Sequence, residues 1–259
     1  DDHYPQHPRP TPQDLRERGY LDAEGKVVPK RYVTFYVGDY DSAAWLYQVM
    51  PYLWDDPARG SLPLNWAFNP NLADRMPVAM VRARRTATAQ DTFVAGDSGA
   101  GYVNPGMLQE PREFSGLPSG VEAWRDHCLP AFHRWDLSVT GFVIDGYAPP
   151  MNDETLRAYA AFSSGGFAAQ KVDTVGMVGD TPYVRMGPDL PRAGVPEGAT
   201  ALRNALSGDL SGPPPEPRFH SIRTILMNPT WHRDVVASVR TEVPDAEMEI
   251  VDAHTFYAL

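Results

Sequence analysis

Four aspartates stand directly behind apolar, strand-like runs: Asp39 and Asp41 after Tyr32–Val37, Asp97 after Thr92–Ala95, and Asp145 after Val139–Ile144. Two carboxylates brought together can serve as acid and base, or as acid and nucleophile, because burial and mutual repulsion keep one protonated beside an ionised partner. No glutamate follows such a run, so a catalytic carboxylate pair here is a pair of aspartates. Asp39 and Asp97 are the first choice, with Asp41 and Asp145 behind them. Each position also has a plainer reading. An aspartate after a strand commonly caps the next helix, and Asp41, just ahead of the apolar stretch 43–54, suits that role equally well.

Behind Asp97 lies a glycine-rich loop, Gly99–Pro105. It lacks the lysine and Ser/Thr of a phosphate-binding loop and the third glycine of a dinucleotide fingerprint, and Pro105 with Gly106 argues against a helix directly behind it. Such a loop suits a sugar better: Gly99 and Gly101 let backbone approach a ligand, Tyr102 can stack on a pyranose, and Asn104 adds an amide. Trp66 is a second stacking candidate. Asn65 and Arg223, at or near strand ends, can hydrogen-bond hydroxyls. Gly96-Asp97-Ser98-Gly99 does not match a Gly-x-Ser-x-Gly nucleophile elbow. The seven histidines include no His-Glu-x-x-His and no helical pair four apart, and the lone Cys128 excludes both an internal disulfide and a cysteine-based zinc site. No metal and no cofactor is assigned.

These residues need a scaffold that brings strand ends together. Strand and helix signals alternate through most of the chain. Strands are expected at 32–37, 62–68, 92–95, 139–144, 167–170, 183–186, 221–227 and 248–251. Helices are expected at 43–54, 77–89, 121–135, 154–162, 200–206 and 230–241. Alternation at this spacing predicts a parallel α/β architecture. The favoured form is a (β/α) TIM-like barrel of seven or eight strands with an irregular closure, and the alternative is an open parallel sheet. No long helix is evident after Gln170. Residues 1–30 are proline-rich and read as an extended lead-in with one helical turn near 13–18, leaving 31–259 as a single barrel-like domain. In either architecture ligands bind outside the carboxyl ends of the strands, where the aspartates stand.

With 23 Lys+Arg against 33 Asp+Glu, the net charge of −10 argues against a nucleic-acid or anionic-membrane surface. No apolar run is long enough to span a membrane. The Asp-Asp-His start is not a signal peptide and reads as a mature, truncated or cytoplasmic N-terminus.

The segment from Tyr32 to Trp45, with Gly99, Gly101, Tyr102 and Pro105 behind it, resembles the glycoside hydrolases named for a Gly-x-Gly-Tyr-x-Tyr-Pro motif. Asn104 stands where that motif has its second tyrosine. The tail, Ile222–Leu226 through Asp252, Thr255 and Phe256, resembles the family's closing strand–helix–strand, so the likeness covers roughly 30–259, the family's C-terminal barrel-like domain. It implies a bacterial, secreted or periplasmic protein of carbohydrate breakdown. The expected function is therefore glycoside hydrolysis of an oligo- or polysaccharide by two aspartates. Two other readings stay open. One is a non-catalytic carbohydrate-binding or scaffold domain. The other is a metal-dependent polysaccharide deacetylase, because Asp-x-Asp after a first strand also occurs in barrel deacetylases.

Overall fold

Tyr32-Val-Thr-Phe-Tyr-Val is β-branched or aromatic on both faces, the pattern of a parallel strand buried on both sides. It lies in the first strand, β1 (Arg31–Tyr40). The protein was studied as a computed structural model that describes residues 3–40, 42–112 and 114–259, apart from the side chains of Asp39 and Tyr40. The other strands are β2 (Leu64–Phe68), β3 (Asp91–Ala95), β4 (Val139–Val143), β5 (Gly166–Ala169), β6 (Val175–Val178), β7 (Thr181–Arg185), β8 (Arg218–Ile225) and β9 (Met248–Ile250). The helices are α1 (Pro12–Glu17), α2 (Ala43–Gln48), α3 (Met50–Trp54), α4 (Leu72–Arg75), α5 (Pro77–Arg85), α6 (Val121–Arg134), α7 (Asp153–Phe162), α8 (Val195–Leu206), α9 (Pro229–Glu242) and α10 (Ala253–Ala258).

Strands run in the order β6-β7-β5-β4-β3-β2-β1-β8, with β9 also paired to β1. All these pairings are parallel except β6 with β7. The sheet curls until its ends almost meet. Gly187 N donates to Ser221 O at 2.8 Å and Leu190 N to Arg223 O at 2.9 Å, tying the segment behind β7 to β8. This is the nearly closed, irregular barrel expected above, not the open alternative. The stretch after Gln170 that shows no helix signal holds the antiparallel β6–β7 hairpin.

Two local departures have simple causes. The helix expected over 43–54 is split into α2 and α3 at Val49, because Pro51 has no N–H to continue the helical ladder. The lead-in is built into the fold. Thr11 caps α1 in a reciprocal box with Asp14, the Tyr4 ring stacks on Trp135 at 4.4 Å, and Gln6 bonds both Phe93 N, at 2.7 Å, and Phe93 O, at 2.9 Å. The short α10 escaped the sequence reading. Among the described residues no helix is long and apolar enough to cross a membrane.

One apolar layer lies between barrel and helices, where Trp54, Trp66, Phe93 and Trp135 are buried; each such side chain contributes roughly 1.5–3 kcal/mol or more by leaving water. The barrel interior is filled by Tyr36, Ala67, Val94, Val139, Phe142 and, from α10, Ala253. The Tyr36 ring fits there because glycine stands behind β3 and on β4: a methyl group at Gly96 would stand 2.9 Å from its hydroxyl, and one at Gly141 2.6 Å from the ring.

His232 on α9 is fully buried, with Nδ1 2.9 Å from Asn228 O and Nε2 2.9 Å from Thr224 Oγ1. Burial pushes its pKa down to about 4, so the folded imidazole is neutral where an unfolded one begins to protonate. The unfolded chain binds the extra proton, and the stability contributed by the neutral ring is lost as pH falls from about 6.5 through about 4, by roughly 3 kcal/mol. Urea unfolding at about pH 7 and about pH 4.5 is expected to show that loss. In His232→Gln the pH-dependent loss is smaller.

Candidate active site

The carboxyl ends of the parallel strands form the barrel mouth. On β1, Gly38 pairs with Ile225 of β8, which puts the Asp39 backbone beside the end of β8. The Asp39 side chain and the whole of Asp41 lie outside the described residues.

At the end of β3 the chain makes an unusual turn. Asp97 has φ 55° and Ser98 φ 74°, two consecutive non-glycine residues in the left-handed region. Each costs on the order of 1–3 kcal/mol, so the surroundings must hold them. Ser98 supplies most of the grip. Its N donates to Phe142 O at 2.9 Å, its Oγ donates to Val103 O at 2.6 Å and accepts from Ile144 N at 2.8 Å, and its carbonyl accepts from the Tyr159 hydroxyl at 2.7 Å. The turn is thus bolted to β4, to its own loop and to α7, with Asp97 at the strand end and only 5% exposed.

The glycine loop is equally fixed, for a reason different from the one expected. Gly99 (φ 128°) and Gly101 (φ 146°) occupy conformations that L side chains rarely adopt. A methyl group at Gly99 would stand 3.1 Å from Cys128 Sγ, and one at Gly101 3.0 Å from Asn71 Nδ2 and 3.4 Å from the Trp124 ring. Their bare faces are turned to protein, so the expectation that they admit a sugar to the backbone is corrected: they seat the loop on α6. Asn71 Nδ2 and His127 Nε2 both reach Ala100 O, the latter at 2.7 Å, and close the clamp. The Cys128 thiol, pushed up to about 12 by burial, is an inert part of it. The sequence reading missed Asn71, His127 and Tyr159. Their only signal is a polar residue on an otherwise apolar helix face or strand exit.

Asp145 repeats the strand-then-aspartate pattern with a different outcome. It is fully buried, and its two oxygens accept from Gln170 N at 2.8 Å and Lys171 N at 3.0 Å. Burial raises its pKa above the ordinary carboxylate value while those N–H groups pull it back. A carboxylate so enclosed ties the end of β5 to the end of β4, and its burial speaks against its catalytic candidacy.

Two binding expectations are corrected on the same grounds. Trp66 faces the outer layer, fully buried, and its Nε1 donates to Asp91 Oδ1 at 2.8 Å. Asn65 lies inside the barrel, donating to Thr34 Oγ1 and Phe35 O and accepting from Ala253 N at 2.7 Å, so it anchors α10. Asn104 is half-buried, with its side-chain oxygen enclosed. Arg223 lies near the carboxyl end of β8. Its guanidinium grips Asp189 through both oxygens, at 2.8 and 2.6 Å, and lies 4.7 Å over the Phe142 ring, bracing the seam where the barrel closes. Tyr102 is 67% exposed on the loop behind β3, and Tyr147 behind β4 is 98% exposed. Trp45, in the first turn behind β1, is also exposed. Among the described residues no three metal-ligating side chains gather at one place.

The family model described as "GxGYxYP putative glycoside hydrolase C-terminal domain" matches residues 29–205. The chain belongs to this family. The match runs from just before β1 into the last turn of α8 and includes Asp39, Asp97, Asp145 and the glycine loop, whereas β8, α9, β9 and α10 lie beyond it. No curated protein matches the sequence. Among solved structures, a "putative hydrolase" from Bacteroides thetaiotaomicron is 16% identical, with a TM-score of 0.65 over 90% of this chain and 46% of that one. The likeness shows the barrel fold, and this chain spans just under half the length of that relative. A "putative polysaccharide deacetylase" from Mycobacterium smegmatis is 14% identical over 89% of this chain and 91% of the other, with a TM-score of 0.47.

Proposed function

We propose that this family member is a glycoside hydrolase barrel that cleaves an oligo- or polysaccharide with two aspartates, Asp97 from β3 and Asp39 from β1. The observation that carries the proposal is the strained Asp97–Ser98 turn at the mouth. Four hydrogen bonds hold an expensive backbone there, and the residue so presented is a carboxylate. Backbone strain of this kind concentrates where a side chain must be aimed.

In the proposed reaction one carboxyl group protonates the leaving glycosidic oxygen. The other attacks the anomeric carbon, or activates water on the opposite face of the ring; oxygens about 5 Å apart imply the first course and about 6.5–9.5 Å the second. Asp41 is the alternative partner. Exposed rings at the mouth, Tyr102, Tyr147 and Trp45, offer sugar-stacking faces on the segments behind β3, β4 and β1. With a net charge of −10 the chain favours a neutral glycan over an anionic one. Export to the periplasm or cell exterior is part of the same proposal and follows from the family's association with carbohydrate breakdown.

The test is a panel of plant and bacterial polysaccharides incubated with purified protein and read for new reducing ends. Release from at least one neutral glycan is expected. Binding to a glycan without release would point instead to the scaffold reading.

A further inference from the structure

At the end of the barrel away from the aspartates, a cavity of about 370 Å³ lies between the N-terminal segment, the bases of β2 and β3, and the start of α10. Two of its wall residues, His254 and Arg18, carry polar groups that the fold leaves largely unused. His254 is only 9% exposed, yet its Nδ1 is buried with no hydrogen-bond partner. Burial keeps the imidazole neutral. A proton on Nδ1 finds no acceptor within the fold, so a ligand oxygen is what that nitrogen can serve. Arg18 forms no ion pair among the described residues and only grazes Thr255 Oγ1 at 3.5 Å. Thr92 adds a hydroxyl, and Tyr20 and Pro63 add apolar walls. The acid in the lining, Asp252, is already engaged: its oxygens accept from Thr255 N at 2.9 Å and Thr255 Oγ1 at 2.6 Å, capping α10.

We propose that this cavity binds a small organic anion whose carboxylate or phosphate group is held by Arg18, His254 and Thr92, with its carbon skeleton against Tyr20 and Pro63. A guanidinium with no close ion pair can take an oxyanion, and the volume exceeds what a bare inorganic ion fills. Asp14 of α1, whose carboxyl is lowered first by its hydrogen bonds with Thr11, feels the Arg18 charge only as a smaller contribution. The bound molecule would join the N-terminal segment to α10. The site stands apart from the mouth and does not depend on the glycosidase proposal.

Thermal unfolding of the whole chain tests it, with glucuronate and glucose 6-phosphate as probes and glucose as the neutral control. At least one anion is expected to raise Tm saturably by about 3 °C or more, with no effect from glucose. Arg18 is exposed, so Arg18→Gln should fold normally and lose the shift. A response to glucuronate alone would assign a carboxylate ligand, and one to glucose 6-phosphate alone a phosphate. No shift with either anion, or an equal shift in Arg18→Gln, would overturn the proposal; the latter result would place the anion elsewhere, the mouth included.

Discussion

Replacing Asp97 by Asn is expected to lower glycan turnover by about 10²–10⁴-fold or more, with Tm left close to that of the parent. Asparagine keeps the shape of the side chain and tolerates the left-handed backbone at least as well as aspartate, so the Ser98 hydrogen bonds survive. What it removes is the ability to give up or take a proton, or to attack as an oxygen nucleophile. A kinetic assay on any glycan released by the parent, paired with thermal unfolding, separates the two effects. Equal loss of stability and activity would make Asp97 a structural residue like Asp145. Unimpaired turnover would remove it from the mechanism altogether.

Asp145 should behave in the opposite way. Its two oxygens satisfy two backbone N–H groups in a fully buried place. Asp145→Ala would leave both donors without partners, at a cost of roughly 2–5 kcal/mol, or a fall in Tm of about 5–15 °C. Asp145→Asn retains one acceptor and turns an amide N–H₂ toward the other donor, so it should fall between. Activity would fall with stability, because Gln170 and Lys171 set the shape of the rim at β5. Denaturant midpoints for the two variants check the order. A neutral Asp145→Ala would mean that the β4–β5 junction is held by something else.

The contrast between these aspartates marks what the sequence makes legible. Ala95-Gly96-Asp97 and Ile144-Asp145-Gly146 look alike as strings, and both correctly locate strand ends. Their fates differ because the backbone at Asp97 turns left-handed, whereas Asp145 meets the N–H groups of a strand that follows it by some twenty-five residues in sequence. No local pattern encodes that meeting. The misplacement of Trp66 and Asn65 has a related origin. In a parallel strand covered on both faces, alternation of apolar and polar residues is lost, so the sequence of β2 does not reveal which side is interior. The exposure of Tyr102 is legible because a loop residue has no such ambiguity. The glycines mark an unusual backbone in the sequence, but spacing does not show whether a ligand or helix α6 occupies the space that a Cβ would need. The barrel itself was readable from alternation over a long stretch, where errors at single elements, such as the split at Pro51, do not accumulate.

The most direct test of the glycosidase reading is hydrolysis in water enriched in heavy oxygen, with the fragments read by mass spectrometry for the parent and for Asp97→Asn. The account predicts heavy oxygen at the new reducing end of the glycan fragments from the parent, and no such fragments from the variant. Fragments without the label, labelled fragments formed equally by both proteins, or binding of glycans with no fragment at all would contradict it.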